Sequence, residues 1–240
     1  MDFTGKVVMI TGSGRGIGAE IARNFAARGA SVVVLSRTEA QSEKVAASIT
    51  EKGGRALALA CDVSSEEDVR RTVAAVKAHF GPVDILVNNA GVFRGAYMDE
   101  MSLEDWHTPF RTILDGTFLC CREVLGDMKA RKSGKIVNIA SAAARFPFET
   151  FGAYAAAKAG LLAYSMDLQE EVRAYGINVN SIVLGLTNTA EVQNREELNS
   201  GVPRDKMLQP IDVANAVMFL SSDMARGMKA AALELYGDYV

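Results

Sequence analysis

The sequence predicts an α/β chain organised as a doubly wound parallel sheet. Three observations lead there. Short apolar runs rich in β-branched residues recur along the 240 residues, beginning at Val7, Val32, Ala56, Ile85, Ile136 and Ile177. These runs are continuous rather than alternating, as strands covered on both faces by helices must be. Between them lie amphipathic helical patterns, and strand alternating with helix implies parallel strands joined by helical crossovers. No linker, repeat or shift of composition divides the chain, so residues 1–240 are expected to form a single domain.

The first strand, Val7-Val8-Met9-Ile10, leads through a glycine-rich turn into a helix from Ile17 to Arg28, whose Ile21, Ala22 and Phe25 share one face. Val32 to Leu35 and Ala56 to Leu59 read as the second and third strands. Ser65 is the expected N-cap of a helix running to His79, with Val69, Val73 and Val76 on its apolar side. Glu66, Glu67 and Asp68 fill its first turn, where negative charge complements the helix dipole. The fourth strand is Ile85-Leu86-Val87, and a long helix is expected from Leu103 to Ala130, with Pro109 near its beginning. Lys135 to Ala140 forms the fifth strand, Gly152 to Tyr175 the next helix, and Ile177 to Ile182 the sixth strand.

Composition narrows the function. A net charge of −3 and a pI near 5.6 give no basic footprint for nucleic acid, so the expected partner is a small molecule. Lys129 to Lys135 reads as a solvated loop rather than a nucleic-acid patch. Hydrophobic content of 49% excludes a disordered chain. Cys61, Cys120 and Cys121 form no CxxC pair and read as buried apolar groups of a reducing compartment. His79 and His107 have no second ligand at metal spacing, so no metal is expected. The N-terminus lacks a basic region and a long apolar stretch, and no run is long enough to span a bilayer; no membrane partner and a cytoplasmic location are expected.

Ligands of such sheets bind outside the carboxyl ends of the strands. After the first strand stands Gly12-Ser13-Gly14-Arg15-Gly16-Ile17-Gly18, where glycine allows a tight turn and close approach of backbone to a pyrophosphate at a helix N-terminus. Neither the GxGxxG nor the GxxxxGK[ST] spacing is met; TGxxxGxG is. After the second strand come Ser36 and Arg37, with no acid before Glu39. A carboxylate there would accept from a ribose 2′-hydroxyl, whereas arginine binds a 2′-phosphate, so Arg37, seconded by Arg15, predicts NADP (NADPH) rather than NAD.

Ser141 ends the fifth strand, and Tyr154 and Lys158 follow on one helical face four residues apart. An ammonium nearby stabilises a phenolate, which would let Tyr154 act as general acid in reduction and general base in oxidation. Ser141 would hold the substrate oxygen, and Lys158 would bind ribose hydroxyls as well as lowering the tyrosine pKa.

Taken together, Thr11 to Gly18, Asp62-Val63, Asn88-Asn89-Ala90-Gly91, Ser141 with Tyr154 and Lys158, and Gly176 to Ile182 resemble the short-chain dehydrogenase/reductase family over nearly the whole chain, most of all its 3-oxoacyl-[acyl-carrier-protein] reductase-like members. The resemblance implies a Rossmann-type fold of seven parallel strands, and NADPH-dependent reduction of a 3-oxoacyl thioester or similar ketone to a secondary alcohol. It also implies a homotetramer or dimer. Carried over by position, Asp62 and Val63 flank the adenine; Asn88, Ala90 and Gly91 line the cofactor cleft; Leu184, Gly185 and Thr187 bind the cofactor; and Thr189 meets the nicotinamide carboxamide. An NAD(P)-linked dehydrogenase oxidising a polyol, cyclic alcohol or hydroxysteroid is the alternative, and a non-catalytic dinucleotide-binding sensor is another.

Three departures stand out. Ile113 occupies the place of an asparagine thought to hold a proton-relay water, Leu184-Gly185 replaces Pro-Gly and should loosen the loop it opens, and the C-terminal strand reads Ala232 to Asp238 without the usual glycines. Substrate choice is expected in Val92 to Met98, Ala142 to Phe151 and Leu186 to Gln209, with Phe146, Phe148 and Phe151 forming an apolar pocket. Asn188 to Gly201 is expected to act as a lid hinged at Gly201 and Pro203.

Overall fold

In β1 (Val7–Ile10) every residue is buried, yet the two faces differ: Val8 and Ile10 join one apolar cluster, Val7 and Met9 another. That two-residue alternation runs through the sheet, so each strand contributes to two cores at once. The computed structural model describes residues 1–194 and 202–238. Seven strands form one parallel sheet, adding β2 (Ser31–Ser36), β3 (Arg55–Ala60), β4 (Ile85–Asn88), β5 (Gly134–Ile139), β6 (Ile177–Leu184) and β7 (Ala232–Leu235). Their order is β3-β2-β1-β4-β5-β6-β7, a doubly wound Rossmann-type arrangement.

One face is covered by α1 (Gly16–Ala26), α2 (Glu39–Thr50) and α8 (Pro210–Ser221), which bring Ile21, Phe25, Val45, Ile49, Val213 and Val217 against the sheet. The other carries α3 (Glu66–Phe80), α5 (Gly116–Arg131) and α6 (Gly152–Val172), with Val73, Val124 and Leu168 in the second core. Ser65 caps α3 as expected, its Oγ accepting from Asp68 N at 3.3 Å.

The helix expected from Leu103 to Ala130 is not regular. It opens as α4 (Leu103–Pro109), widens into a π-turn over Phe110–Asp115 and resumes as α5. Pro109 lacks an N–H and its ring crowds the carbonyl four residues back, so the normal ladder cannot pass through it. Gly116, which resumes the helix, allows close approach: a Cβ there would stand 2.8 Å from Val63 Cγ2. The C-terminal strand is also shorter than the stretch to Asp238, ending at Leu235. Among the described residues no helix is long and apolar enough to cross a membrane.

Candidate active site

The crossovers leave in opposite directions between β1 and β4, and a cleft of about 1410 Å³ opens there at the carboxyl ends of the strands. Its volume exceeds the ~300–1,000 Å³ usual for a drug-sized ligand, which suits an extended dinucleotide beside a substrate.

One end is built by the glycine loop. Asn89 Nδ2 donates to Thr11 O at 2.9 Å and to Gly12 O at 3.1 Å, and Thr11 Oγ1 accepts from Asn89 N and Ala90 N, both at 3.0 Å. The loop is thereby laced to the end of β4. A Cβ on Gly12 (φ +64°) would stand 2.9 Å from Ala90 Cα, one on Gly14 2.8 Å from Ser36 Oγ, and one on Gly18 2.6 Å from Gly12 O. Only glycine fits these approaches. Gly12, Gly14, Arg15, Gly16, Ile17 and Gly18 all line the cleft. The first turn of the eleven-residue α1 carries no acid and no side-chain cap, leaving its N–H groups for an anion.

Ser36 and the exposed Arg37 follow at the end of β2, and Asp62 and Val63 after β3. Ala90 and Gly91 continue the wall after β4, and Leu184, Gly185, Thr187 and Thr189 close it after β6. This cradle fits a dinucleotide, with a tight backbone loop for the diphosphate, two arginines at one end and Lys158 at the other.

Two expected cofactor contacts are corrected. Ser13 is fully buried: its Oγ donates to Ile10 O at 2.7 Å and accepts from Leu35 N at 2.9 Å, while its N–H is held by Leu35 O. It staples the loop to β2 and β1 instead of facing the cleft. Asn88 is also buried, donating through Nδ2 to Asn138 Oδ1 at 2.8 Å and to Cys121 Sγ. Asn138 donates in turn to Ser165 Oγ at 2.8 Å. The neighbour Asn89 lines the cleft in its place.

Ser141, Tyr154 and Lys158 meet at the other end. Ser141 follows β5, its Oγ accepting from Ala143 N at 3.2 Å; Tyr154 and Lys158 are set by α6, with Lys158 Nζ 5.6 Å from the Tyr154 ring centre. Lys158 is 3% exposed and donates to Ile139 O at 2.5 Å. Burial pushes its pKa down to about 8. Burial also raises the Tyr154 phenol above its usual range, opposed by the hydrogen bond with Ser141 and reinforced by the Glu191 carboxylate. The lowering expected from Lys158 is therefore not what governs Tyr154 in the protein alone, because desolvation acts on both groups.

Ile113 is buried against Ala157 and Leu161 and offers Lys158 no polar atom. Thr112, beside it in the π-turn, lines the cleft. The loop after β6 is not loosened by the missing proline: Gly185 N donates to Leu235 O at 2.7 Å, Leu208 N to Leu186 O at 3.0 Å and Asn188 N to Leu208 O at 2.8 Å.

On the substrate side Phe148 and Phe151 line the cleft as expected positions for an apolar pocket, joined by Phe93. Phe146 does not; its ring packs edge-on against Tyr236 at 5.7 Å. Thr150 sits in the left-handed region (φ 66°), costly for a β-branched residue, and its carbonyl accepts from Ala96 N at 3.2 Å. Of the expected lid, α7 (Ala190–Gln193) is a short helix and Pro203 precedes a 3₁₀ turn, while Gly201 lies outside the described residues. Thr38, Gln41, Cys61, Asn89 and Thr112 are among the lining residues to which sequence reasoning gave no role in the site, while Phe93 and Glu191 lie in stretches it assigned to substrate choice. Only Asn89 carried a signal, as the second member of a doublet directly after a strand.

The chain matches the short chain dehydrogenase family over residues 6–199. It is 36% identical to D-threitol dehydrogenase of Mycolicibacterium smegmatis, covering 98% of this chain and 93% of that one. It is 33% identical to the 3-oxoacyl-[acyl-carrier-protein] reductase FabG of Escherichia coli over 99% and 98% of the two chains. Among solved structures, a gluconate 5-dehydrogenase from Burkholderia cenocepacia in complex with NADP and tartrate superposes with a TM-score of 0.91 at 31% identity, covering 98% of this chain and 95% of the other.

Proposed function

Since the chain belongs to the short-chain dehydrogenase family, an oxidoreductase family working between alcohol and carbonyl, we propose that it reduces a ketone to a secondary alcohol using NADPH. The observation that carries this reading is the convergence of Ser141, Tyr154 and Lys158 on one end of a cleft whose other end is a glycine cradle flanked by Arg15 and Arg37. When bound, the reduced nicotinamide supplies a hydride to the carbonyl carbon.

The chain's own groups manage the proton. Ser141 hydrogen-bonds the carbonyl oxygen, and Tyr154 gives that oxygen its phenolic proton. A phenol raised by burial stays protonated at neutral pH, which favours the reducing direction over alcohol oxidation. The phenolate left behind is stabilised by the charge of the Lys158 ammonium, 5.6 Å from the ring centre. Lys158 also binds ribose hydroxyls, and Thr189 the carboxamide.

NADPH is favoured because the end of β2 presents Arg37 and no carboxylate, the next acid being Glu39 at the start of α2. Exposed Phe118 on α5 and Met166 on α6 support assembly of a homotetramer through these helices.

Tyr154→Phe tests the reading: ketone-dependent oxidation of NADPH should fall at least ~100-fold while NADPH binding is retained. Unchanged turnover would overturn it. Arg37→Ala should weaken NADPH about tenfold and leave NADH unchanged; equal affinities of the unsubstituted protein for the two cofactors would remove the NADPH preference.

A further inference from the structure

We propose that the substrate half of the cleft selects an uncharged ketone carrying a flat or alicyclic ring, and disfavours substrates with an anionic group near the carbonyl. This deepens the carbonyl-reductase reading and rests on it. Phe93, from the loop after β4, and Phe151, just before α6, stand with ring centres 4.4 Å apart. Both rings meet Tyr154 edge-on, at 5.7 and 6.2 Å, and Phe148 extends the surface 5.4 Å from Phe151. Three aromatic rings therefore flank the group that delivers the proton. Such a wall desolvates an apolar ring laid on it and itself offers a polyol hydroxyl no hydrogen-bond partner.

The wall is held in place from behind. Ala96 N donates to Thr150 O at 3.2 Å, and the Tyr97 hydroxyl donates to the Glu149 carboxylate at 2.7 Å. These two bonds tie the loop bearing Phe93 to the loop bearing Phe148 and Phe151. A Cβ on Gly95 would stand 2.8 Å from the Phe93 ring, so the chain also closes tightly over that side chain.

Charge acts in the same direction. Away from the cofactor-binding loops, the charged groups among the described lining residues are Lys158, Glu149 and Glu191. Lys158 is bonded to Ile139 O beneath Tyr154. Arg15, in the glycine loop, is held by Glu191 at 3.0 Å. Among the described lining residues on this side, a substrate carboxylate or phosphate meets Glu149 and the Glu191 already paired with Arg15, and the one ammonium, Lys158, is engaged by Ile139 O.

The test compares ketones that differ in one property. With the purified full chain and NADPH, kcat/KM for tetralone should exceed that for an open-chain polyhydroxy ketone, and kcat/KM for ethyl acetoacetate should exceed that for acetoacetate, each by at least ~10-fold. Phe151→Ala should raise the KM for tetralone about tenfold, and Phe151→Leu, which keeps apolar volume without a ring, should fall between. Preference for the anion or the polyol, or a tetralone KM indifferent to both substitutions, overturns the inference. Calorimetric titration of tetralone into the NADPH complex separates the two readings. Binding that Phe151→Ala weakens, with no turnover of any ketone, sinks the reductase reading and keeps the pocket assignment; no binding at all sinks the pocket assignment.

Discussion

The Arg15 guanidinium lies 3.0 Å from the Glu191 carboxylate, joining the glycine loop to α7 across the mouth of the cleft. Both side chains face solvent, at 69% and 38% exposure, so the pair is worth less than about 1 kcal/mol. A cofactor phosphate drawing on Arg15 has to displace Glu191. Glu191→Gln should therefore tighten NADPH by up to about fivefold at low salt, with the gain fading as ionic strength rises. Fluorescence titration of NADPH at two salt concentrations checks this; weaker binding by the variant would mean that Glu191 assists the cofactor.

Two glycines of the cradle should respond differently to a methyl group. At Gly18 the added Cβ would sit 2.6 Å from Gly12 O, a backbone atom with nowhere to move, and Gly18→Ala should cost about 1–3 kcal/mol of stability and most of the NADPH affinity. At Gly16 the nearest atom is Thr189 Cγ2 at 3.7 Å, so Gly16→Ala carries only the left-handed backbone cost of about 1 kcal/mol. Urea unfolding of both variants reads the difference.

Lys158 makes stability depend on pH. In the fold its pKa is about 8, in the unfolded chain about 10.5, so between these values the unfolded state binds more protons and stability rises with pH. The rise should approach ~1.4 kcal/mol per pH unit within that window. Lys158→Met, which carries no proton, should lack it. Stabilities of the two proteins that change in parallel between about pH 8 and 10.5 in urea unfolding would contradict this expectation.

Ile113→Asn places an amide among Ala157, Leu161 and the partly buried Phe110 and Leu114. The expected cost is about 1–3 kcal/mol, because the apolar surroundings supply no partner. If proton resupply through Lys158 limits turnover, the variant is at the same time faster at saturating NADPH. Thermal unfolding and steady-state rates on one preparation test both halves.

Much of this architecture was legible in the sequence because parallel strands advertise themselves as unbroken apolar runs, and all six such runs became β1 to β6. The seventh strand was placed only through the family resemblance, since Ala232 to Leu235 forms no apolar run and alternates exposed and half-buried residues at the sheet edge. Three helices also escaped notice, the four-residue α7 among them. In α2 a buried serine, Ser42, takes a core position by hydrogen bonding with Ser36 Oγ, which breaks the apolar stripe. In α8 the stripe exists, with Val213, Ala214, Val217 and Met218 on one face, but exposed Ile211 and half-buried Ala216 and Phe219 add apolar residues off that face and blur it. Its better signature was Pro210 at the first turn with Asp212 accepting from Gln209 N at 2.8 Å. The site residues were readable where a motif fixes backbone shape, as in the glycine loop. They were misread where the side chain's direction decides: Ser13 and Asn88 belong to the right segments and point into the core.

That inward direction has a use of its own. The line from Asn88 through Asn138 to Ser165 crosses β4, β5 and α6. Apolar packing alone lets a helix roll or creep along a sheet at little cost, whereas a directed bond tolerates neither. Ser165 lies seven residues after Lys158 and eleven after Tyr154, near whole numbers of helical turns, so it shares their azimuth. Ser165 thus works as an indexing pin, and the aim of the phenol and ammonium is set from a point the reactants never touch.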